Sequence, residues 1–193
     1  MSTTDENIAK LIQEANGRSR EFMASCINVC NTIKWKTVSF VIPTDPIPSH
    51  RPRLSGYRIY VPGAAKNQAF FNKHVLPSLK GLFISTPCEL KADIYVRTPK
   101  SFSVVQKILA EMKILRPWVN VGDVDNFAKS IMDSLQPNEK RGHVGIMAND
   151  CLVITSQERK YYSITPRTEV TIKYMDEKSI PDKLKKILRI NIR

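Results

Sequence analysis

Glycine is scarce: seven in 193 residues, none in a G-x-x-x-x-G-K-[ST] run or a G-x-G-x-x-G run opening a helix. Backbone cradles for nucleotide phosphates depend on such runs, so nucleotide-driven motors and dinucleotide enzymes are excluded. No apolar stretch approaches the ~20 residues of a spanning helix, and none has the form of a signal h-region. The chain is therefore expected to stay where it is made, in the cytoplasm beside the nucleoid. Its four cysteines, Cys26, Cys30, Cys88 and Cys151, lack the density of a disulfide framework. Cys26 and Cys30 share a helical face with Phe22, Met23 and Ile27, but no second Cys or His pair completes a four-coordinate zinc set. The three histidines, His50, His74 and His143, lie far apart and outside any H-E-x-x-H, so surface or structural roles are expected for them. Acidic residues are few, 18 against 30 Lys and Arg, which leaves a net charge of +12 and a pI near 9.7. Such an excess on a small body attracts polyanions, and nucleic acid is the expected partner rather than a membrane.

At 22.0 kDa, with 42% hydrophobic and 25% charged residues, the chain fits one soluble domain with an arm. Residues 5 to 32 carry apolar positions at helical spacing, split near Asn16-Gly17, and form an amino-terminal extension ending at about residue 34. Trp35 to Ile42 reads as a strand, followed by a Pro-rich loop, a short strand at Tyr57 to Val61 and a helix over Ala64 to Leu79 broken near Pro77. Cys88 to Val96 alternates with the period of a half-buried strand, and Val104 to Leu115 is helical again. From Val124 onward, Val124, Phe127, Ala128, Ile131, Met132 and Leu135 form one apolar stripe, the best-defined helix of the chain. A polar loop over Gln136 to Ala148 leads to strands at Cys151 to Ser156 and Arg167 to Tyr174. A basic tail follows over 176–193, with a short helix near Lys183 to Leu188. The order predicts an α/β fold, a small mixed sheet with helices packed on it.

The chemistry concentrates in Gly122-Asp123-Val124-Asp125-Asn126-Phe127-Ala128-Lys129, with Asn149-Asp150 downstream. Carboxylates two apart at a helix start can face one point, and hard divalent cations such as Mg²⁺ take oxygen ligands of this kind. Lys129, one turn beyond Asp125, suits either neutralising that carboxylate or stabilising charge on a phosphate oxygen. Taken alone, a D-x-D-N at a helix start is more often a cap, because Asp and Asn satisfy free backbone N–H groups there. Asp133 is a residue beside the site at most, since eight helical residues put it about 12 Å along the axis from Asp125.

The pattern D-x-D-N-x-x-K-x-x-x-D-x-L, formed by Asp123, Asp125, Asn126, Lys129, Asp133 and Leu135, resembles the RusA family of Holliday junction resolvases. It is preceded by Ser39-Phe40-Val41-Ile42-Pro43 running through Pro46, Pro48 and Arg51-Pro52-Arg53, and followed by N-D and a strand with a basic run. The resemblance covers about Trp35 to Tyr174 and implies a RusA-like endonuclease domain over 35–175. It further implies a homodimer that binds four-way DNA junctions and nicks two opposed strands with Mg²⁺, Mn²⁺ being a possible substitute. By the same resemblance Asp123, Asp125 and Asp150 hold the metal, and Lys129 joins them in catalysis. Gly122, the long interval before Asp150 and residues 1–34 depart from the family pattern. Small resolvases of this kind are frequent in phages, which makes a phage-encoded protein in a bacterial host one expectation. For DNA contacts the candidates are Arg51, Arg53, Lys100, Lys107, Arg116, Arg159 and Lys160, several beside aromatic rings. The competing readings are a less selective nuclease of flaps or forks and a junction-binding protein that does not cut.

Overall fold

The computed structural model describes residues 3–14, 17–49, 53–55, 58–60, 64–79, 81–118, 121–188 and 190. Two units emerge, Thr37–Tyr174 and one made of residues 1–36 with 175–193. In the second, helices α1 (Thr3–Glu14) and α2 (Gly17–Cys30) share a unit with the carboxy-terminal helix α6 (Asp182–Ile187). The amino-terminal extension and the basic tail are thus knit together. The Asp176 amide donates to the Lys34 carbonyl at 2.8 Å, the Lys34 amide to Ser179 Oγ at 2.9 Å, and Lys36 pairs with Asp176 at 2.9 Å. Cys26 is half-buried and Cys30 exposed.

The larger unit is built on a four-stranded sheet in the order β1-β6-β4-β5, with β1 over Trp35–Ile42, β4 over Cys88–Arg97, β5 over Val153–Ser163 and β6 over Arg167–Met175. β4 is one of its two interior strands, and the sequence says why. Leu90, Ala92, Ile94 and Val96 are buried on one face while Glu89, Lys91 and Asp93 point to the other. β4 runs antiparallel to β6 and parallel to β5, so the chain must cross over between β4 and β5. Helices α4 (Val104–Glu111) and α5 (Val124–Leu135) lie in that crossover, and α3 (Ala64–His74), followed by a 3₁₀ turn over Leu76–Leu79, packs on α5. The core gathers Phe71, Phe127, Ile131, Leu135, Ile146 and Met147 against the inner face of the sheet.

Three boundaries differ from those read in the sequence. β5 continues to Ser163 rather than stopping at Ser156; Gln157-Glu158-Arg159-Lys160 is a polar run on an edge strand and carries no apolar alternation by which to recognise it. The expected strand at Tyr57 to Val61 is β3 (Arg58–Tyr60), paired with an unanticipated β2 (Arg53–Ser55) into a hairpin. α4 ends at Glu111, four residues short of Leu115, where the chain turns through Lys113 at φ 62°.

The interval over Gln136 to Ala148 is no loose loop. Its Ile146 and Met147 amides donate to the Leu135 carbonyl at 2.7 and 3.0 Å, and both side chains are fully buried. His143 is the other anchor: Nε2 bonds the Ser134 carbonyl at 2.7 Å, Nδ1 lies 2.8 Å from the Asn72 side-chain amide, and the ring stands edge-on to Phe71. Burial pushes its pKa below the ordinary histidine value, against the pull of the Ser134 bond. The unfolded chain takes up a proton near pH 6.5, whereas the folded ring does so only at lower pH. Stability present at pH 7 is therefore expected to fall as pH drops below about 6.5, and His143→Gln should flatten that acid limb in a series of thermal unfolding curves. An unchanged limb in the variant would remove His143 as its cause.

Candidate active site

α5 begins where three pieces of chain meet. Gly122 sits at φ +100°, and a side chain there would come within 3.3 Å of Pro48 Cγ and 3.4 Å of the Phe127 ring. Glycine suits this position because its φ is left-handed and the Pro-rich loop presses onto the turn. One residue later the Ser49 amide donates to the Asn126 carbonyl at 2.8 Å, and Lys160 Nζ on β5 donates to the Gly122 carbonyl. The loop, the helix start and the sheet edge are thereby fixed to one another, and the acidic turn is held from both sides. Asp45, in the same loop, is gripped by Arg97 at the end of β4 through two bonds of 3.0 Å.

Within this frame Asp123 occupies the N-cap position of α5 with extended backbone, φ −81° and ψ 151°, yet its side chain makes no capping bond. The capping account of the acidic pair fails at this residue. Asp125 stands in the first helical turn and, like Asp123, is exposed. Asp150 opens a 3₁₀ turn whose cap is supplied by its neighbour, the Asn149 side chain accepting from the Cys151 amide at 2.9 Å. In both places a residue suited to capping is spared that task and left facing solvent. The side chains of Asp123, Asp125, Asp150 and Lys129 make no hydrogen bond or ion pair with another described residue.

Asp133 lies within electrostatic reach of Lys129 and Asp150. Its carboxyl is half-buried and its pKa is raised, first by burial; Lys129 opposes this, Asp150 adds to it, and Arg141 opposes it. Lys129, Asp133 and Asp150 therefore share one electrostatic field, brought together because the interval before Asp150 folds back along α5. Among the described residues, however, no three His, Cys, Asp or Glu side chains are grouped closely enough to enclose a metal ion by themselves. An open, mainly apolar cleft between the Pro-rich loop, α3 and α5 is lined by Ile47, Phe70, Phe127 and Ile131, and by none of the carboxylates expected to act.

The expected DNA contacts scatter. Arg51 and His50 lie outside the described residues, and Arg53 is placed only as a backbone position of β2. Lys100 and Arg116 are exposed, Lys107 is half-buried on α4, and Arg159 is exposed on β5 at 4.0 Å from Asp93. Lys160 spends its ammonium group on the Gly122 carbonyl, so its geometry is that of a positioning residue. His74 stacks on Phe70 and His143 is structural. Sequence reasoning missed Ser49, took Pro48 only as part of the Pro-rich loop and left His143 between surface and structural roles; each acts through a partner more than 60 residues away in the chain, so no local pattern shows what it holds.

Gly122→Ala is expected to lower Tm by roughly 3–6 °C, since a left-handed φ strains alanine by ~1–2 kcal/mol. Cleavage is expected to drop further than stability alone requires, by about 10- to 100-fold at a temperature where the variant stays folded, because the acidic turn shifts with it. Cleavage rates measured beside thermal melts check this, and an active, strained variant would detach the turn from catalysis.

Comparison with known proteins places these features in a family. A curated protein of Bacillus subtilis (strain 168), called uncharacterized protein YqaN, is 29% identical over 143 residues, covering 70% of this chain and 95% of that one. The family described as endodeoxyribonuclease RusA matches residues 43–173, a span that includes the Pro-rich loop, the acidic turn, Asp150 and the sheet from β4 to β6. The chain belongs to the RusA family of endodeoxyribonucleases, the nucleases that resolve Holliday junctions.

Proposed function

We propose that this nuclease resolves four-way DNA junctions as a homodimer, nicking two opposed strands with Mg²⁺ at a site made of Asp123, Asp125, Asp150 and Lys129. The observation that carries the reading is the unspent acidic turn: Asp123 at a helix cap it does not serve, with Asp125 and Lys129 on the next turns, all exposed. The donor chemistry fits a hard cation. Mg²⁺ commonly takes one or two carboxylates and fills its remaining positions with water and substrate phosphate, so the lack of a closed three-residue cage does not count against it. When bound it supplies Lewis-acid polarisation of the phosphate and a more acidic water. The rest is done by the chain. Asp123 and Asp125 hold the cation, Asp150 approaches from the neighbouring turn, and Lys129 offsets charge building on the scissile phosphate. The Lys160 bond to Gly122 and the Ser49 bond to Asn126 keep the turn rigid while this happens.

Arg51, Arg53, Lys100, Arg116 and Arg159 would bind the phosphate backbone, so junction affinity should fall steeply with added salt. A two-fold dimer sets two such sites against a junction that is itself nearly two-fold, which gives the paired cuts. The test is a labelled four-way junction incubated with Mg²⁺ or with EDTA, beside linear duplex of the same sequence. Paired symmetric nicks confined to the junction and abolished by EDTA support the reading. A gel shift without nicks makes the protein a junction binder, and cutting of the duplex makes it a general nuclease.

A further inference from the structure

Trp118 leaves a large aromatic ring open to water a few residues before the acidic turn. It is 49% exposed, while Phe102 and Tyr162, the two rings it packs with, are buried. Phe102 stands edge-on to both, its centroid 5.4 Å from that of Trp118 and 5.3 Å from that of Tyr162. The backbone is pinned as well: the Trp118 amide donates to the Tyr162 hydroxyl at 3.2 Å, and its carbonyl accepts from the Val121 amide at 3.1 Å. Two side chains of β5 therefore hold one segment of chain, Tyr162 at Trp118 and Lys160 at Gly122. The two stand two residues apart on the strand, about 7 Å, so Trp118 is anchored one pleat away from the anchor of the acidic turn. The indole N–H bonds no other described residue, and Arg116, two positions earlier, is exposed.

We infer that Trp118 is a stacking residue of this nuclease, taking an unstacked nucleobase at the branch point beside the strand whose phosphate reaches the acidic turn. A flat ring accepts any base, because every base has a π-face, and such a stack is worth about 10- to 100-fold in affinity. Inside a linear duplex each base is already stacked on its neighbours, whereas a base at a branch leaves the stack at less cost. The ring therefore favours branched over linear DNA, a preference that contacts to phosphate alone do not supply, since those follow charge. The placement selects a base as the occupant. Trp118 lies between Arg116, whose guanidinium suits a phosphate, and the turn where the scissile phosphate has to sit, so a base linked to that phosphate falls within its reach. The ring is also held from behind by two buried aromatics, which lowers the cost of ordering it on binding. The inference rests on the proposed function for its branched substrate, but on neither the metal nor the carboxylates.

Only two tryptophans occur, Trp35 and Trp118, so Trp35→Phe makes Trp118 the sole indole emitter. The emission of that variant is titrated in EDTA with a four-way junction and with linear duplex of the same sequence. Gel shifts of the same DNAs are measured for wild type, Trp118→Leu and Trp118→Tyr. The junction should quench the emission, and saturating duplex should leave it nearly unchanged. Trp118→Leu keeps an apolar contact with Phe102 but has no π-face; it should weaken junction binding about 10- to 100-fold and duplex binding less than about threefold. Trp118→Tyr, which keeps a ring, should stay within about fivefold of wild type on the junction. Emission unmoved by bound junction overturns the inference. So do equal losses on junction and duplex, which make the ring a backbone contact, or equal losses in the two variants, which make it packing alone. Quenching by a junction that the protein never nicks in Mg²⁺ leaves the stacking in place and sinks only the nuclease reading; nicks without quenching do the reverse.

Discussion

Asp125→Asn should reduce junction cleavage by a factor on the order of 10³ while junction binding is kept or tightened. The reasoning is geometric before it is chemical. Asp125 lies on the exposed side of the first turn of α5 and its side chain makes no bond to any described residue, so the neutral amide replaces it without disturbing the loop, the Gly122 turn or the core. What is lost is one negative charge from the cation site. A small cost in stability is expected as well, ~0.3–1 kcal/mol, because an acidic residue near a helix amino terminus interacts favourably with the dipole. Binding moves the other way, since removing a carboxylate beside the scissile phosphate relieves repulsion. Single-turnover cleavage and gel-shift titration on the same junction separate the two effects. A variant still cutting within tenfold of wild type would falsify the assignment of Asp125.

The second large effect is on the fold. Gly145 has φ +65°, and a methyl group there would lie 2.5 Å from the Gln136 carbonyl carbon and 2.6 Å from both the Leu135 oxygen and the Pro137 nitrogen. All three are backbone atoms, so no side chain can swing aside. The neighbouring residues have no slack either. Ile146 and Met147 are fully buried and bond the end of α5, the Ile84 amide donates to the Ile146 carbonyl at 2.7 Å, and the Ala148 amide donates to the Ile84 carbonyl at 2.9 Å. Gly145→Ala must therefore displace a segment that belongs to the core. A loss of about 3 kcal/mol or more is expected, near 10 °C in Tm, with cleavage falling in step with the folded fraction. A melt within 3 °C of wild type would show that the segment can shift away from α5 without cost. The two variants are complementary: one removes chemistry and spares the structure, and the other does the reverse.

What could be read from the chain alone follows the range of the interactions. α5 and β4 were legible because burial imposes a period, 3.6 for the stripe from Phe127 to Leu135 and 2 for the run from Leu90 to Ile94. The acidic turn was legible because its residues are neighbours in sequence. The far half of β5 was not, since the polar run from Gln157 to Lys160 on an edge strand has no apolar period to show. The coupling of Asp133 to Asp150 was not legible, because helical rise measures distance along α5 and says nothing of the segment that folds back to bring Asp150 alongside. The spacing of α4 was read correctly as helical, yet the same spacing cannot tell an apolar face turned inward from one turned outward. Gly145 and His143 are invisible for a further reason: a glycine or a buried histidine acquires its meaning only from the backbone that surrounds it.

The parallel pairing of β4 with β5 has a consequence for how the protein is made. Cys88 meets Val153, 65 positions later, and β6, the other neighbour of β4, comes later still. During synthesis the middle strand of the sheet leaves the ribosome with neither flanking partner translated, its row of Leu90, Ala92, Ile94 and Val96 open to other chains. The acidic turn emerges in the same interval, ahead of the lysine that steadies it. The acidic turn thus becomes ordered only once β5 has been translated, and a nascent fragment ending before β5 would be prone to aggregate.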